Sequence, residues 1–293
     1  MRIVFIGSVL FSKSMLEQLI KFDLEIVGVC TKKKSKFNSD FFDLGKISLK
    51  HKIPTFYTSD INSDKTYSWI KKKRPDLIFC LGWSNLIEKR LLNLCSGGVI
   101  GFHPTDLPAN RGRHPIIWTL VLGLKKTATT FFFMKETADS GDIISKKKIL
   151  VSKNDDAQSL YNKIILNASK QINQIIRDLK KNKINQIKQN YKAENYWRKR
   201  NVDDGKIDWR MSANNIYNLV RALSKPYSGA HFFFKNKKII LWKSFIVKFK
   251  NRNIEPGRVI FFFKSKPVVK CGENAICMLK TYPSIKIKVK NQL

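Results

Sequence analysis

Through its first hundred residues the chain alternates between short apolar runs and segments with helical spacing, and that alternation leaves few folds open. The apolar runs are Ile3 to Ile6, Leu24 to Cys30, Pro54 to Tyr57, Asp76 to Leu81 and Val99 to Phe102. Between them Met15, Leu16, Leu19 and Ile20 recur at helical intervals, a helix is expected from about Asp40 to His51, and a basic helix over Ser63 to Lys73 is stopped by Pro75. Strands that are apolar on both faces and separated by helices belong in a parallel sheet covered on both sides. The expected architecture is α/β: a doubly wound, mostly parallel, Rossmann-like sheet. Gly7 and Ser8 close the first strand in a turn where backbone could approach an anion at a helix N-terminus. The three-glycine dinucleotide fingerprint is absent, so a plain turn is an equal reading.

The pattern changes later in the chain. A strand over Ile143 to Val151 gives way at Asp155 to a long amphipathic helix with Leu160, Ile164, Ile165, Ala168, Ile172, Ile176 and Leu179 on one stripe. Polar, lysine-rich sequence follows. After a short helix over Ser212 to Leu223 come His231 to Phe234, Lys238 to Trp242, Arg258 to Phe263, Val268 to Cys271 and Ala275 to Leu279, all strand-like. The expected organisation is a catalytic domain over 1–180, a linker over 181–204 and a smaller β-rich, barrel-like (OB-like) domain over 205–293.

At 293 residues and 43% hydrophobic content, the chain can bury a sizeable core. Its formal charge of +34 is spread through strands, helices and loops. A basic surface suits nucleic acid, acidic lipid or polyanionic substrates, but an abundance of lysine, asparagine and isoleucine also follows from genomic base composition. Charge therefore does not name a partner. The run Lys32 to Lys34, with Ser35 and Asn38, reads as a solvated loop, and Trp83 either covers core or stacks on a flat ring. Cys30, Cys80, Cys95, Cys271 and Cys277 form no CxxC or metal-like spacing, which points to buried thiols in a reducing compartment. Met1 to Phe11 reads as a first strand, not a leader, and no apolar segment approaches the roughly 20 residues that span a bilayer. A soluble, cytoplasmic protein without membrane insertion is expected.

Most of the reactive chemistry lies in residues 98–142. The strand ending at Phe102 delivers His103 into a loop with Pro104, Asp106 and Pro108, and the Thr127 to Met134 run ends in an acidic turn carrying Asp139. Loops leaving strand ends at their carboxyl side form the ligand crevice of open α/β sheets. A lone histidine is usually structural. Here a nearby carboxylate would favour its charged form and fix its tautomer, which suits an imidazole that moves a proton while an amine attacks a carbonyl. Such a transfer also needs donors for a developing oxyanion, and His103 could supply one. His103 and His114 with Asp139 do not match a metal-ligand spacing, so no metal is expected, and no nucleophile elbow, P-loop or CxxC is present.

The segments GFHPTDLPANRGRHPI and ADSGD resemble the pattern of the folate-dependent formyltransferases: an asparagine, one residue, a histidine, a serine-leucine-leucine-proline loop, an arginine-glycine pair and a later aspartate-x-glycine turn. FIGSVLF, IDWRMSANNIYNLVRALSKPYSGA, PGRV and KCGENAI extend the resemblance over nearly the whole chain. It implies that His103 is the catalytic acid/base and that Asp139 raises its pKa. Thr105, Asp106, Leu107, Pro108, Arg113, Lys135, Glu136, Thr137 and Ala138 would line the site of the co-substrate, 10-formyltetrahydrofolate. One departure stands out: Gly101 falls where the family has its asparagine, so the oxyanion must find another donor, such as backbone N–H, His103, water or the nearby Asn110. The loop TKKKSKFNSDFFDLGK lacks the longer proline-rich insert of methionyl-tRNA formyltransferases. RGRHPIIW and WRKRNVDDGKIDW look more like the domain that formylates UDP-4-amino-4-deoxyarabinose. The resemblance thus implies formyl transfer to the amine of a nucleotide-linked amino sugar in surface polysaccharide synthesis, with methionyl-tRNA as the alternative acceptor. A catalytically weak binding homologue is a third reading, and a homodimer is compatible with all three.

Overall fold

The computed structural model describes residues 1–35 and 38–293; of the TKKKSKFNSDFFDLGK segment, Lys36 and Phe37 lie outside the described residues. In chain order the elements are β1 (Arg2–Ile6), α1 (Leu10–Lys21), β2 (Glu25–Thr31), α2 (Gly45–Lys50), β3 (Thr55–Tyr57), α3 (Asp64–Lys72), β4 (Leu77–Cys80), α4 (Lys89–Leu92), β5 (Val99–His103), β6 (Arg111–Gly112), α5 (Pro115–Val121), β7 (Lys126–Phe133), β8 (Ile143–Leu150), α6 (Ala157–Lys180), β9 (Tyr196–Trp197), α7 (Ala213–Ala222), β10 (Ala230–Phe234), β11 (Lys237–Val247), β12 (Val259–Phe263), β13 (Lys266–Lys270) and β14 (Ala275–Tyr282). The chain divides into two compact units. The first comprises Met1–Pro115, Thr127–Ile149 and Asn162–Trp197; the second comprises Ile116–Lys126, Leu150–Tyr161 and Arg198–Leu293.

The first unit is built on a seven-stranded sheet in the order β3-β2-β1-β4-β5-β7-β8. Its first five strands pair in parallel. Ile3 to Ile6 of β1 and Leu77 to Cys80 of β4 are buried throughout, which is why these runs carry no polar alternation. Helix α1 turns Phe11, Met15, Leu16 and Leu19 inward, and α6 buries Ile164, Ala168, Ile172 and Ile176 along its expected stripe. Helix α2 is shorter than its pattern suggested. Asp43 Oδ1 accepts the Gly45 N–H at 2.8 Å and so starts the helix late, while Phe41 bridges Val9.

The turn after β1 is closed from within. Ser12 Oγ accepts the amides of Ser8 and Val9 at 3.1 and 3.2 Å and donates to the Leu81 carbonyl, and the Leu10 amide reaches Asp40 O at 2.9 Å. A Cβ at Gly7 would lie 2.6 Å from that same Leu81 oxygen. Gly7 thus serves close approach to the end of β4, and the amides that could have held a phosphate are already used.

Strand β7 runs antiparallel to β5, pairing Ile100 with Phe133 and His103 with Thr130. The end of β7 therefore lies beside the start of β5, and the turn after it must return to bring Asp139 to His103.

In the second unit β10-β11-β14-β13-β12 form an antiparallel five-stranded sheet, with β10 and β12 at the two ends of the order. Ser212 Oγ caps α7 by accepting the Asn215 amide at 3.2 Å, and Ile216, Leu219 and Val220 are buried. Strand β11 runs well past the expected stop at Trp242. Register shifts around Lys243 absorb the polar residue, so pairing with β14 resumes at Ser244.

Candidate active site

His103 ends β5 with only 5% of its surface exposed. Its Nε2 lies 2.9 Å from the carbonyl oxygen of Asn110, so this nitrogen carries the hydrogen and donates. Its Nδ1 faces Asp139 Oδ2 at 3.6 Å, beyond hydrogen-bond length. That carboxylate oxygen also accepts the Gly112 amide at 3.0 Å, which ties the acidic turn to the loop after β5. Both loops are tightly wound: Asn110, His114 and Asp139 adopt φ values of 65°, 54° and 55°. Left-handed backbone of this kind is best tolerated by these residue types.

A cleft of about 500 Å³ opens in the first unit, bordered by Leu92, Arg111, Met134, Thr137, Tyr191 and Tyr196 among others. Lys135 and Glu136 also border it, as does Lys89, and both lysines are paired: Lys89 with Glu136 at 3.6 Å and Lys135 with Asp142 at 3.1 Å. Of the loop residues the sequence singled out, Thr105 and Leu107 are fully buried. The Thr105 hydroxyl donates to Ala109 O at 3.0 Å, and Leu107 packs with Phe132, Ile143 and Met134. Asp106 pairs with Lys146 at 2.7 Å, Pro108 is half-buried, and Ala138 sits half-buried next to Asp139. Arg113 is exposed and donates to Ser84 O at 2.7 Å. Asn110 contributes its backbone: its amide donates to Asn195 Oδ1 at 2.8 Å and its carbonyl holds His103.

Sequence reasoning missed the side chain that organises this region. Arg111 is 1% exposed, and its Nη1 donates to Glu194 and, at 3.0 Å, to the Tyr196 hydroxyl, while its Nη2 donates to Gln189 Oε1 at 2.8 Å. The rings of Tyr191 and Tyr196 lie 5.3 and 5.7 Å from its guanidinium. Gln189 then uses its own amide on the carbonyls of Asp139 and Gly141, at 2.8 and 2.7 Å. β9 pairs with β6 directly beside Arg111, and Ile187 bridges Ile143. The polar stretch after α6 is thus stitched to the site. Only the RG pair hinted at this, through the buried position that an arginine needs for planar, multidentate bonding.

Gly101 is filled around, not empty. A Cβ there would lie 2.7 Å from Met134 Cγ and 3.2 Å from Phe132 Cζ, so the thioether of Met134 occupies the space that a side chain at 101 would take.

Compared with known proteins, residues 1–176 match the family described as formyl transferase, and residues 199–291 match the formyl transferase C-terminal domain. The chain belongs to the formyl transferase family. It is 35% identical over 263 residues to the bifunctional polymyxin resistance protein ArnA of Wigglesworthia glossinidia brevipalpis, a match that covers 89% of this chain but only 40% of that protein. It is 29% identical over 286 residues to the methionyl-tRNA formyltransferase of Caldanaerobacter subterraneus subsp. tengcongensis, covering 96% of this chain and 91% of the relative. Among solved structures, the sugar 3N-formyl transferase WlaRD, crystallised with dTDP and 5-N-formyl-THF, superposes with a TM-score of 0.72 at 16% identity, covering 97% of this chain and 99% of that one. That likeness is one of fold. Among the described residues, no helix of this formyltransferase is long and apolar enough to cross a membrane.

Proposed function

We propose that this formyltransferase moves the formyl group of 10-formyltetrahydrofolate to the amine of a nucleotide-linked amino sugar, with His103 and Asp139 as its proton-handling pair. The observation that carries the roles is the asymmetry at His103. Nε2 is committed to the Asn110 carbonyl, which fixes the ring, while Nδ1 stands 3.6 Å from Asp139 with room to take up the proton that the attacking amine releases. A carboxylate on that side stabilises the imidazolium so formed. The cleft suits the co-substrate: Leu92, Met134, Tyr191 and Tyr196 give a flat ring system apolar and aromatic walls, and Asn93 and Ser140 give it polar partners.

The acceptor is proposed from the similarity to ArnA, which has the highest identity of the relatives given above, and from the sugar transferase fold. Methionyl-tRNA is the second reading, favoured by a match along almost the full length of methionyl-tRNA formyltransferase and by the +34 charge. One experiment separates them: formyl transfer from 10-formyltetrahydrofolate, measured side by side on amino-sugar nucleotides and on methionyl-tRNA. Turnover on an amino-sugar nucleotide is expected. Salt-sensitive turnover on methionyl-tRNA alone would reverse the order, and tight binding without turnover on any amine would leave a binding homologue.

A further inference from the structure

Three side chains of the first unit converge on Trp83 and Ser84, just beyond β4. Lys32, the first residue after β2, places its Nζ 4.6 Å from the centre of the Trp83 ring. Arg113, the first residue after β6, donates from Nη1 to the Ser84 carbonyl at 2.7 Å, and Asn38 Nδ2 donates to Ser84 Oγ at 3.1 Å. β2 and β4 flank β1, where the strand order reverses, and ligands of open α/β sheets bind outside the strand ends at that point.

The two cations differ from most others bordering the site. Lys89, Lys135, Lys146 and Arg111 each face a carboxylate. Among the described residues no carboxylate lies within ion-pair distance of Lys32 or Arg113. Lys33 and Lys34 are exposed neighbours, whereas Lys32 is half-buried on an aromatic face. Its burial lowers its pKa, as expected for a charge drawn partly out of water. The indole Nε1 of Trp83 is itself buried and has no hydrogen-bond partner among the described residues.

We infer that Lys32 and Arg113 form the subsite for the diphosphate of the acceptor, with Trp83 as the surface that holds Lys32 in place. This inference rests on the nucleotide-linked acceptor proposed above. Arginine and lysine at two sides of one loop supply the planar fork and the compact charge that a diphosphate accepts. The subsite is joined to the reaction centre by backbone: Gly112, whose amide holds Asp139 Oδ2, directly precedes Arg113.

The test is calorimetric binding of UDP and dTDP to the full chain, with inorganic pyrophosphate as competitor and 5-formyltetrahydrofolate as a control ligand. Lys32→Met keeps the stem on Trp83 and removes the charge; Arg113→Ala removes the fork. Each is expected to weaken nucleoside diphosphate binding about tenfold, and the pair together about 100-fold, while Lys32→Met, at a residue outside the proposed folate site, changes folate binding less than about twofold. Lys32→Arg should restore most of the loss. Tryptophan emission should change when UDP binds, and Trp83→Phe should abolish that signal. Wild-type binding of UDP that survives Lys32→Met and Arg113→Ala undiminished would overturn the subsite and leave the amino-sugar reading standing. Failure of the wild-type chain to bind either nucleotide would overturn both.

Discussion

Two buried basic side chains, His103 at the end of β5 and Arg111 at the start of β6, are held in different ways. Arg111 is held at both terminal nitrogens: Glu194, Tyr196 and Gln189 take them and two tyrosine rings flank it, while its Nε is buried with no hydrogen-bond partner among the described residues. His103 is held at one nitrogen only, and its other nitrogen is separated from Asp139 by 3.6 Å. A guanidinium keeps its protons and, with both ends of its fork fixed, organises its surroundings, whereas an imidazole with an uncommitted lone-pair nitrogen can exchange a proton. The comparison therefore separates scaffold from chemistry within a single stretch of chain, and it can be broken residue by residue.

The largest effect should come from His103→Ala. Loss of the proposed general base should lower kcat by about 1,000-fold, equivalent to roughly 4 kcal/mol of barrier, while denaturant unfolding shifts by no more than about 2 kcal/mol. A His103→Ala protein with wild-type turnover would remove the chemical half of the comparison. Arg111→Ala should do the reverse. It strips the partners from Gln189 and Tyr196 and leaves a cavity, so a loss of about 3 kcal/mol in unfolding free energy is expected. Glu194 keeps a third of its side chain exposed and can rehydrate, which keeps the cost at the lower end for a broken buried pair. If Arg111→Ala unfolded like the wild type but lost its turnover, Arg111 would belong with the chemistry instead.

Asp139→Asn sharpens the boundary between the two. The amide oxygen can still accept the Gly112 N–H, so the turn should hold, but the charge facing Nδ1 is gone. A fall of about 100-fold in kcat with little change in the melting temperature is expected. Gln189→Leu acts on the same aspartate from behind, by leaving the carbonyls of Asp139 and Gly141 and one Arg111 nitrogen without a partner. It should cost about 2 kcal/mol of stability. A fall in kcat with Gln189→Leu that Gln189→Asn or Gln189→His partly reverses would mark it as a positioning residue.

The alternation of apolar runs made the parallel sheet legible, because strands buried on both faces leave no polar residues to obscure their limits. His103 and Asp139 were legible for a local reason: each stands where an apolar run stops in a turn. The reversed direction of β7 was not, since an apolar threonine-phenylalanine run reads the same whichever way its neighbour points. Gln189, Tyr191, Glu194 and Tyr196 were hidden by their surroundings. Their segment is rich in lysine, asparagine and glutamine, the composition of a solvated linker, and what buries Gln189 is a bond to Arg111 far back in the chain. Long-range pairing of isolated polar residues leaves no periodic trace.

The smallest expected effect bears on Gly101. The space is taken by Met134, so Gly101→Asn alone must displace a side chain whose Cγ would lie 2.7 Å from the new Cβ. Overpacking of this kind costs about 1 to 3 kcal/mol, and the single variant should be less stable without gaining rate. Met134→Ala alone opens a small cavity beside the cleft and should cost a similar amount. Together the two changes exchange one filled volume for another, so their combined cost should fall below the sum by about 1 kcal/mol, a coupling that unfolding measurements resolve. If the pair also raises kcat above that of Met134→Ala, then an amide at 101 reaches the developing oxyanion, and the thioether occupies the place of a donor. If kcat does not rise, the oxyanion is held from the His103 side of the site, and glycine at 101 serves only to let β5 pass beneath Met134.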